Sequence, residues 1–236
     1  MGNRAGSTPA LGTAPFYASK EGFFFLKTCF FCQKQGFSLV RSPVRVYEIP
    51  QPYLGRTSAI KFHNLSHTEN VVAGAREIGL ASGLDHDELV TLMIAAWFHD
   101  TGYTEVYNGH EAISVEIFYN YLREIKMPDT FIIKVKGCIL ATRIPQQPKT
   151  LMEQIICDAD FHHLSRYDYN LFAQALRKEW ENCLNLHYTD IQWNSLNLGM
   201  LTNHEYFTDY GKNVLQKRKL QNIDQLRQSM LPDYNL

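Results

Sequence analysis

The sequence lacks a charge imbalance, because its 236 residues include 23 basic and 24 acidic ones and no long block carries a single sign. Nucleic acids and anionic membranes attract basic surfaces, so neither is expected as a partner of this chain. No apolar run reaches the length of a membrane span. The most signal-like stretch, residues 22–32, is interrupted by Lys27, and no small-residue cleavage motif follows it.

Paired cysteines are lacking as well. The five cysteines are an odd number, and only Cys29 and Cys32 lie close together. These two would need a second pair at similar spacing to form a zinc site, so buried or unpaired thiols are the simpler interpretation. A chain of this length can bury one good hydrophobic core without disulfide bonds, and this cysteine usage predicts a cytoplasmic protein.

The chain shows neither an internal repeat nor an alternating pattern long enough for a sheet, so an all-α fold is predicted. Residues 1–45 mix Gly, Ser, Pro and Thr with Phe in no sustained period, which predicts a poorly ordered N-terminal arm. Residues 46–204 are expected to form the helical domain. Residues 205–236 are polar and charged with scattered apolar positions, and they predict a C-terminal helical extension packed on that domain.

Five helices are predicted in the central part of the chain. Their starts are inferred from side-chain oxygens at the N-cap and carboxylates three residues later, which satisfy amides that a helix leaves unpaired. The proposed start signals are Ser66 with Glu69, Asp85 with Glu88, Asn108 with Glu111, Asp129 alone, and Thr150 with Glu153. The second helix is apolar nearly all round and is therefore expected to be the central one.

Two ionisable residues, His99 and Asp100, follow directly after the apolar run 89–98 in the stretch AAWFHDTGY. Gly102 is expected to end the second helix in the left-handed conformation, which places both residues in its last turn. A buried carboxylate at a helix C-terminus requires a compensating positive charge. If His99 and Asp100 were the only ionisable residues here, an arginine paired with Asp100 would supply this charge. A divalent cation suits both residues, since imidazole and carboxylate are good ligands for Zn, Mn or Fe.

Further candidate ligands lie at the edges of two other predicted helices. The segment FHNLSH contains His67, expected as the first helical residue, and His63 in the lead-in to it. The segment CDADFHHL contains Asp158 and Asp160 on opposite sides of an apolar stripe, so helical geometry leaves open which of the two faces the core. Ionisable residues thus occur at the edges of three apolar helices. This favours a shared metal site over the alternative that each residue is an unrelated surface residue.

The order His67, His99 with Asp100, and Asp160 resembles the H…HD…D signature of the HD-domain superfamily of metal-dependent phosphohydrolases. The likeness covers roughly residues 60–200, and the segments WFHDTGY and ILATRIPQQP…EQIICDAD are similar to predicted bacterial members. It implies an HD-domain-like helical bundle of at least five core helices, with the four signature residues as metal ligands. The implied cofactor is a divalent metal ion, which is Mn, Fe, Zn, Mg, Co or Ni.

The segment FHNLSH is also similar to the HNxxH segment of cyclic-nucleotide phosphodiesterases, and this likeness implies that His63 is the proton donor. Members of the superfamily with two metals have further histidines. Here His110 is one candidate, while Thr142 stands where related sequences often have a histidine, so one tightly held ion is expected. Arg143 and Lys149 lie between the fourth and fifth helices and are candidates for contact with phosphate charge.

These features predict a metal-dependent phosphohydrolase for a nucleotide or another small phosphate ester, in which metal-bound water attacks phosphorus and Asp100 is essential. The likeness leaves Asp158 as a second acid near the site, and a homo-oligomer is compatible with it. The alternatives are a cyclic-nucleotide phosphodiesterase, an HD-type di-iron oxygenase and a non-catalytic nucleotide-binding regulatory module. Thr142 argues against the oxygenase, which needs extra histidines, and the complete signature argues against the regulatory module.

Overall fold

The computed structural model describes residues 59–123 and 125–231, and within these ranges the fold is all-helical, without a β-strand. The predicted all-α class is thereby confirmed. The predicted N-terminal arm and the pair Cys29 and Cys32 lie outside the described residues. In chain order the α-helices are α1 Leu65–Ala81, α2 His86–Phe98, α3 His110–Tyr121, α4 Asp129–Ala141, α5 Leu151–Asp160, α6 Tyr169–Leu184, α7 Asp190–Asn203 and α8 Gln216–Ser229. None of these helices has the length and apolar character that a membrane span requires.

The predicted starts of α2 and α5 are confirmed. Asp85 accepts a hydrogen bond from the Glu88 amide, and the Glu88 side chain accepts one from the Asp85 amide, which completes a capping box. The Thr150 hydroxyl accepts a hydrogen bond from the Glu153 amide at the start of α5. Short polar side chains followed by Glu therefore locate these two starts correctly.

The predicted start of α1 is wrong by two residues. Asn64, not Ser66, is the N-cap, because its extended backbone lets the side-chain oxygen accept a hydrogen bond from the His67 amide at 3.1 Å. His67 is thus the third residue of the helix rather than the first. His63 immediately precedes the cap, as expected, so the two imidazoles lie one turn apart at the entry to α1.

The starts of α3 and α4 are each shifted by one residue from their predicted caps. Gly109 rather than Asn108 precedes α3, with a φ of 76° that favours glycine, and no side chain caps that helix. Pro128 precedes α4, and Asp129 is its first helical residue. The backbone conformation of Gly109 and Pro128 sets where α3 and α4 begin. The pattern of capping side chains in the sequence does not reveal that conformation.

Helix α2 lies at the centre of the fold, because it packs against α1, α3, α4 and α5. Its buried face includes Leu92, Ala95, Ala96 and Phe98, all of which are almost fully shielded from solvent. Helix α1 also packs along α5. The start of α1 and the ends of α2 and α5 therefore meet at one end of the bundle.

Gly102 does not have the left-handed conformation expected of it, since positive φ among the described glycines occurs elsewhere. Helix α2 ends at Phe98, His99 follows with right-handed helical angles, and a short 3-10 turn comes next. The requirement for glycine is close packing instead: a Cβ at position 102 would lie 2.0 Å from the His110 carbonyl oxygen. The Gly102 amide also donates a 2.8 Å hydrogen bond to Ser114 Oγ, which fastens this turn to α3.

Replacing Gly102 with alanine is expected to lower the free energy of unfolding by about 3 kcal/mol or more, because backbone rather than a flexible side chain must move to admit the methyl group. Gly199→Ala is a matched control in α7, where an added Cβ meets nothing within 4 Å, and it is expected to be neutral or slightly stabilising. Urea denaturation of both variants measures the difference. Equal stability of the two would contradict the close-packing explanation.

The described part of the predicted C-terminal extension forms a π-helical turn, Gly211–Leu215, that continues into α8. Helix α8 packs against α7 and against the 3-10 turn Phe161–Ser165. Asn222 is buried and its side-chain amide donates to the carbonyls of Leu164 and Arg166 at 2.7 and 2.8 Å. Buried Ile223 adds an apolar contact, so these residues belong to the packed core.

Candidate metal centre

Three buried side chains from two parts of the chain converge at the end of the bundle where α1, α2 and α5 meet. His67 lies in the first turn of α1, and His99 and Asp100 follow α2; their ligand atoms all lie within 4.8 Å of one another. Asp100 Oδ2 is 3.3 Å from His67 Nε2 and 3.1 Å from His99 Nε2. The Asp100 carboxylate is therefore the central group of this cluster.

Asp160, the last residue of α5, completes the predicted set of four. Its Oδ1 lies 3.3 Å from His67 Nε2 and 3.6 Å from His99 Nε2. Its side chain is 19% exposed, whereas that of Asp100 is 5% exposed. The structure thus brings together all four residues that the sequence signature singles out, with Asp160 at the solvent-accessible edge. These four residues are called the HHDD cluster below.

The tautomer of His99 is fixed by the main chain. Its Nδ1 lies 2.7 Å from the carbonyl oxygen of Ala96. A carbonyl can only accept a hydrogen bond, so Nδ1 carries the proton, and in the neutral ring Nε2 has a lone pair directed at the cluster. Metal-binding histidines are commonly oriented through the other ring nitrogen in this way.

The donor atoms fit a cation better than they fit one another. Among the described residues, Nε2 of His67, Nε2 of His99 and Oδ2 of Asp100 are buried without a hydrogen-bond partner. Their separations are those of ion pairs, but a hydrogen bond also requires a directed donor, and proximity alone does not provide it. A divalent ion accepts lone pairs from imidazole and carboxylate together and would satisfy all three atoms.

The charges of the HHDD cluster lead to the same conclusion. Burial lowers the pKa of His99, but Asp100 and Asp160 outweigh this effect and hold it well above the ordinary value. Burial likewise opposes ionisation of Asp160, yet the adjacent imidazoles of His67 and His99 keep its pKa lowered. The carboxylates of Asp100 and Asp160 therefore require a positive charge between them. Protons on the imidazoles or a bound metal ion can supply it, and the two compete.

His110, the candidate for an additional histidine, lies beside the cluster. Its Nε2 is 3.3 Å from Asp100 Oδ1, the oxygen on the other side of the carboxylate from His67 and His99. Its Nδ1 faces the Tyr107 carbonyl at 3.2 Å. His110 is thus placed to orient the Asp100 carboxylate.

His63 is held by a buried carboxylate that the sequence did not reveal as part of the site. His63 Nδ1 lies 2.5 Å from Oε1 of Glu179 in α6, and the Tyr107 hydroxyl donates to the same oxygen at 2.9 Å. The other oxygen, Oε2, accepts the amides of Lys61, Phe62 and His63 at 2.8, 2.7 and 3.0 Å. Burial raises the pKa of Glu179, but the hydrogen bond and charge of His63 lower it to about 2, so the carboxylate is ionised.

Tyr103 connects His63 with the metal-site residues. Its ring stacks on His63 at a centroid distance of 4.2 Å and on His110 at 3.8 Å. Its hydroxyl lies 3.3 Å from His63 Nε2. Burial and then the charge of Asp100 raise the pKa of Tyr103 far above its ordinary value, so the hydroxyl stays protonated. His63 therefore lies next to the HHDD cluster, and its Nε2 faces Tyr103.

Asp158, expected as a second acid near the site, is engaged by the C-terminal segment. Its Oδ1 accepts the Phe207 amide at 2.8 Å, and its Oδ2 accepts the Thr208 amide at 2.9 Å and the Thr208 hydroxyl at 2.6 Å. A Cβ at Gly211 would lie 2.4 Å from the same Oδ2. Asp158 and Asp160 are two residues apart on α5 but have different partners. Asp158 binds the segment after α7, whereas Asp160 lies beside the imidazoles of His67 and His99.

The structure places three other candidates on the α4–α5 connection. Thr142 is buried, and its hydroxyl donates to the Ile139 carbonyl at 2.8 Å at the end of α4. Arg143 and Lys149 have exposed side chains. No hydrogen bond or ion pair among the described residues links these three to the HHDD cluster.

Asp160→Asn is expected to weaken metal binding far more than Asp158→Asn, because only the Asp160 carboxylate reaches the two imidazoles. The Asp158 variant should instead lower the free energy of unfolding by about 1–3 kcal/mol, since an amide in its place sets a donor against the donors of residues 207 and 208. Metal analysis and urea denaturation of both variants separate the two effects. Greater metal loss in the Asp158 variant would show that the ligand assignment on α5 is wrong.

Comparison of the chain with protein-family models, curated proteins and solved structures gives no match. The resemblance to the HD-domain superfamily therefore rests on the sequence signature, and the metal centre rests on the geometry of the four residues that carry it.

Proposed function

We propose that the protein is a metal-dependent phosphohydrolase that acts on a nucleotide or another small phosphate ester. The observation that supports this most directly is the convergence of buried, unsatisfied nitrogen and oxygen atoms from His67, His99 and Asp100. Asp160 borders the same point and is partly open to solvent. A cluster of this kind has room for a cation and for access of a substrate from the Asp160 side.

The formal charge of two carboxylates and two neutral imidazoles matches a divalent ion. Such an ion, when bound, supplies Lewis acidity towards a phosphoryl oxygen and a water of lowered pKa. The residues of the chain provide the rest of the site: His67, His99, Asp100 and Asp160 would hold the ion, and His110 would keep the Asp100 carboxylate in place.

His63 is the candidate for proton transfer to the departing oxygen. Glu179 holds Nδ1 of its ring, so Nε2 is the nitrogen left to exchange a proton on the side of Tyr103 and the metal-site residues. The Tyr103 ring keeps the imidazole plane fixed by stacking. A general acid is most useful when the leaving oxygen is a poorly stabilised alkoxide, which is the case for phosphate esters.

The cyclic-nucleotide phosphodiesterase is the second candidate, and the pairing of His63 with Glu179 supports it equally. Opening a cyclic phosphodiester expels a ribose oxygen, which requires a proton as it leaves. The same residues would serve in both reactions, so the two candidates differ in substrate rather than in the site.

The proposal is tested by metal analysis of the purified protein, followed by assays of phosphate ester hydrolysis with each divalent metal. The panel includes nucleoside monophosphates and triphosphates, cyclic nucleotides and simple aryl phosphates. Metal-dependent hydrolysis of at least one ester, lost in His99→Ala, is the expected result. A metal-loaded protein that hydrolyses none of them with any metal would overturn the proposal.

A further inference from the structure

A groove of about 420 Å³ includes Phe161, the residue that follows Asp160 of the HHDD cluster. Its lining comes from the α4–α5 connection, the turn after α5 and the segment after α7, and it includes Ile144, Gln146, Phe161, His204, Glu205 and Phe207. Its volume lies within the range of about 300–1,000 Å³ that is typical of small-molecule sites. None of these residues has a part in the metal centre.

The groove and the metal centre are neighbours in sequence and in space. Phe161 follows Asp160 directly, and its ring stacks on His204 with a centroid distance of 4.9 Å. The charge of Asp160 also acts on His204: burial and Lys219 lower the pKa of His204 to about 4, and Asp160 opposes them. The groove therefore adjoins the Asp160 side of the HHDD cluster along the chain.

The apolar part of the lining consists of one aliphatic side chain and two aromatic rings that solvent reaches. Ile144 is 72% exposed, and the rings of Phe161 and Phe207 are only partly shielded. Aromatic rings and a branched aliphatic side chain provide flat, apolar contact, which suits the face of a planar ring.

The polar part of the lining offers hydrogen-bond donors. Gln146 Nε2 and His204 Nε2 are both buried without a partner among residues 59–123 and 125–231. Lys219 Nζ lies 3.3 Å from His204 Nδ1, and because an ammonium group only donates, Nδ1 accepts and the imidazole proton is on Nε2. Gln146 and His204 therefore each bring an unpaired N–H group to the lining of the groove, and the exposed Glu205 carboxylate is an acceptor in the same lining.

We propose that this groove binds the heterocyclic base of a nucleotide. Flat apolar contacts together with donors and an acceptor at the edge match a nucleobase, whereas a sugar ring has no flat π face and a lipid chain lacks the polar edge. The assignment of the phosphate end to the HHDD cluster rests on the proposed phosphohydrolase function. The binding of the base rests on the groove alone.

The test is calorimetric titration of the full chain with the four ribonucleosides, and with ribose and inorganic phosphate for comparison. Saturable binding of at least one nucleoside, with none of ribose, is expected. Gln146→Leu keeps the size of the side chain and removes its amide, and it should weaken nucleoside binding by about five- to tenfold. Gln147→Leu is the matched control, because Gln147 is exposed on the same connection and does not line the groove.

A second variant, Phe207→Ala, removes a stacking surface and should weaken the same nucleoside by about tenfold or more. Its amide still bonds to Asp158, so the segment stays attached. Absence of binding by every nucleoside, or equal affinity in the Gln146 and Gln147 variants, would overturn the proposal. Because nucleosides carry no phosphate, the two proposals can fail separately. Hydrolysis of esters without nucleoside binding would refute base binding in the groove and leave the phosphohydrolase proposal standing. Nucleoside binding without hydrolysis would refute the phosphohydrolase proposal and leave base binding standing.

Discussion

Replacing Asp100 with asparagine is expected to abolish stoichiometric binding of a transition metal. Oδ2 of Asp100 lies close to both imidazoles of the HHDD cluster, at 3.3 Å from His67 and 3.1 Å from His99. The substitution keeps the size of the side chain but removes its negative charge. Partners outside the ligand shell already change metal affinity by about 10- to 100-fold, so loss of this ligand should cost at least about 100-fold.

His99→Ala is expected to have the same effect, since it removes the imidazole whose lone pair is fixed by the Ala96 carbonyl. Metal content after dialysis measures both losses, and circular dichroism checks that the helices remain. Asp87→Asn is a suitable control, because Asp87 is an exposed carboxylate in the first turn of α2, the helix that His99 and Asp100 follow. Full metal content in both the Asp100 and His99 variants would refute the ligand set.

The four residues that the sequence signature singles out, and that the structure brings together, lie at the edges of apolar helices. His67, His99, Asp100 and Asp160 each interrupt or follow a hydrophobic pattern, and a buried ionisable group there requires a partner. The pattern places each residue on its helix, but it does not give the packing of one helix against another. Asp158 and Asp160 flank the same apolar stripe of α5, and the choice between them depends on where α1 and the segment after α7 lie.

Glu179 shows why the rest of the site could not be predicted. It lies in the stretch RKEWEN, where a glutamate is typical of a solvated helix face, and it is 116 residues from His63. In the structure it is fully buried. Hydrogen bonds from three backbone amides and two side chains offset the cost of burying its carboxylate. Only tertiary packing brings α6 to the entry of α1, and the sequence carries no local signal of that contact.

Gly102 illustrates a different limit. Glycine after a helix is typical of a left-handed cap. That interpretation correctly predicts that position 102 requires glycine, but it is wrong about the cause. The actual requirement is the approach of the His110 carbonyl, which belongs to the next helix. A local pattern can thus identify a constrained position without identifying the constraint.

His63→Ala is expected to leave metal content near that of the wild type while lowering turnover by about a hundredfold or more, the usual scale for a lost general acid. The metal is retained because the ion would be held by the HHDD cluster, whereas His63 is bonded to Glu179 and faces Tyr103 through Nε2. Loss of metal in this variant would instead make His63 a ligand.

Glu179→Gln separates the positioning of His63 from its chemistry. A glutamine keeps one oxygen but replaces the other with an amide donor, so it can no longer accept all the hydrogen bonds that Glu179 receives from His63, Tyr107 and the amides of residues 61–63. Turnover should fall with metal content unchanged, and the loss should be much smaller in the background of His63→Ala, because residues that act as one unit are not additive. Measuring turnover and metal content for the two single variants and the double variant decides the matter. Fully additive losses would show that Glu179 acts on the fold rather than through His63.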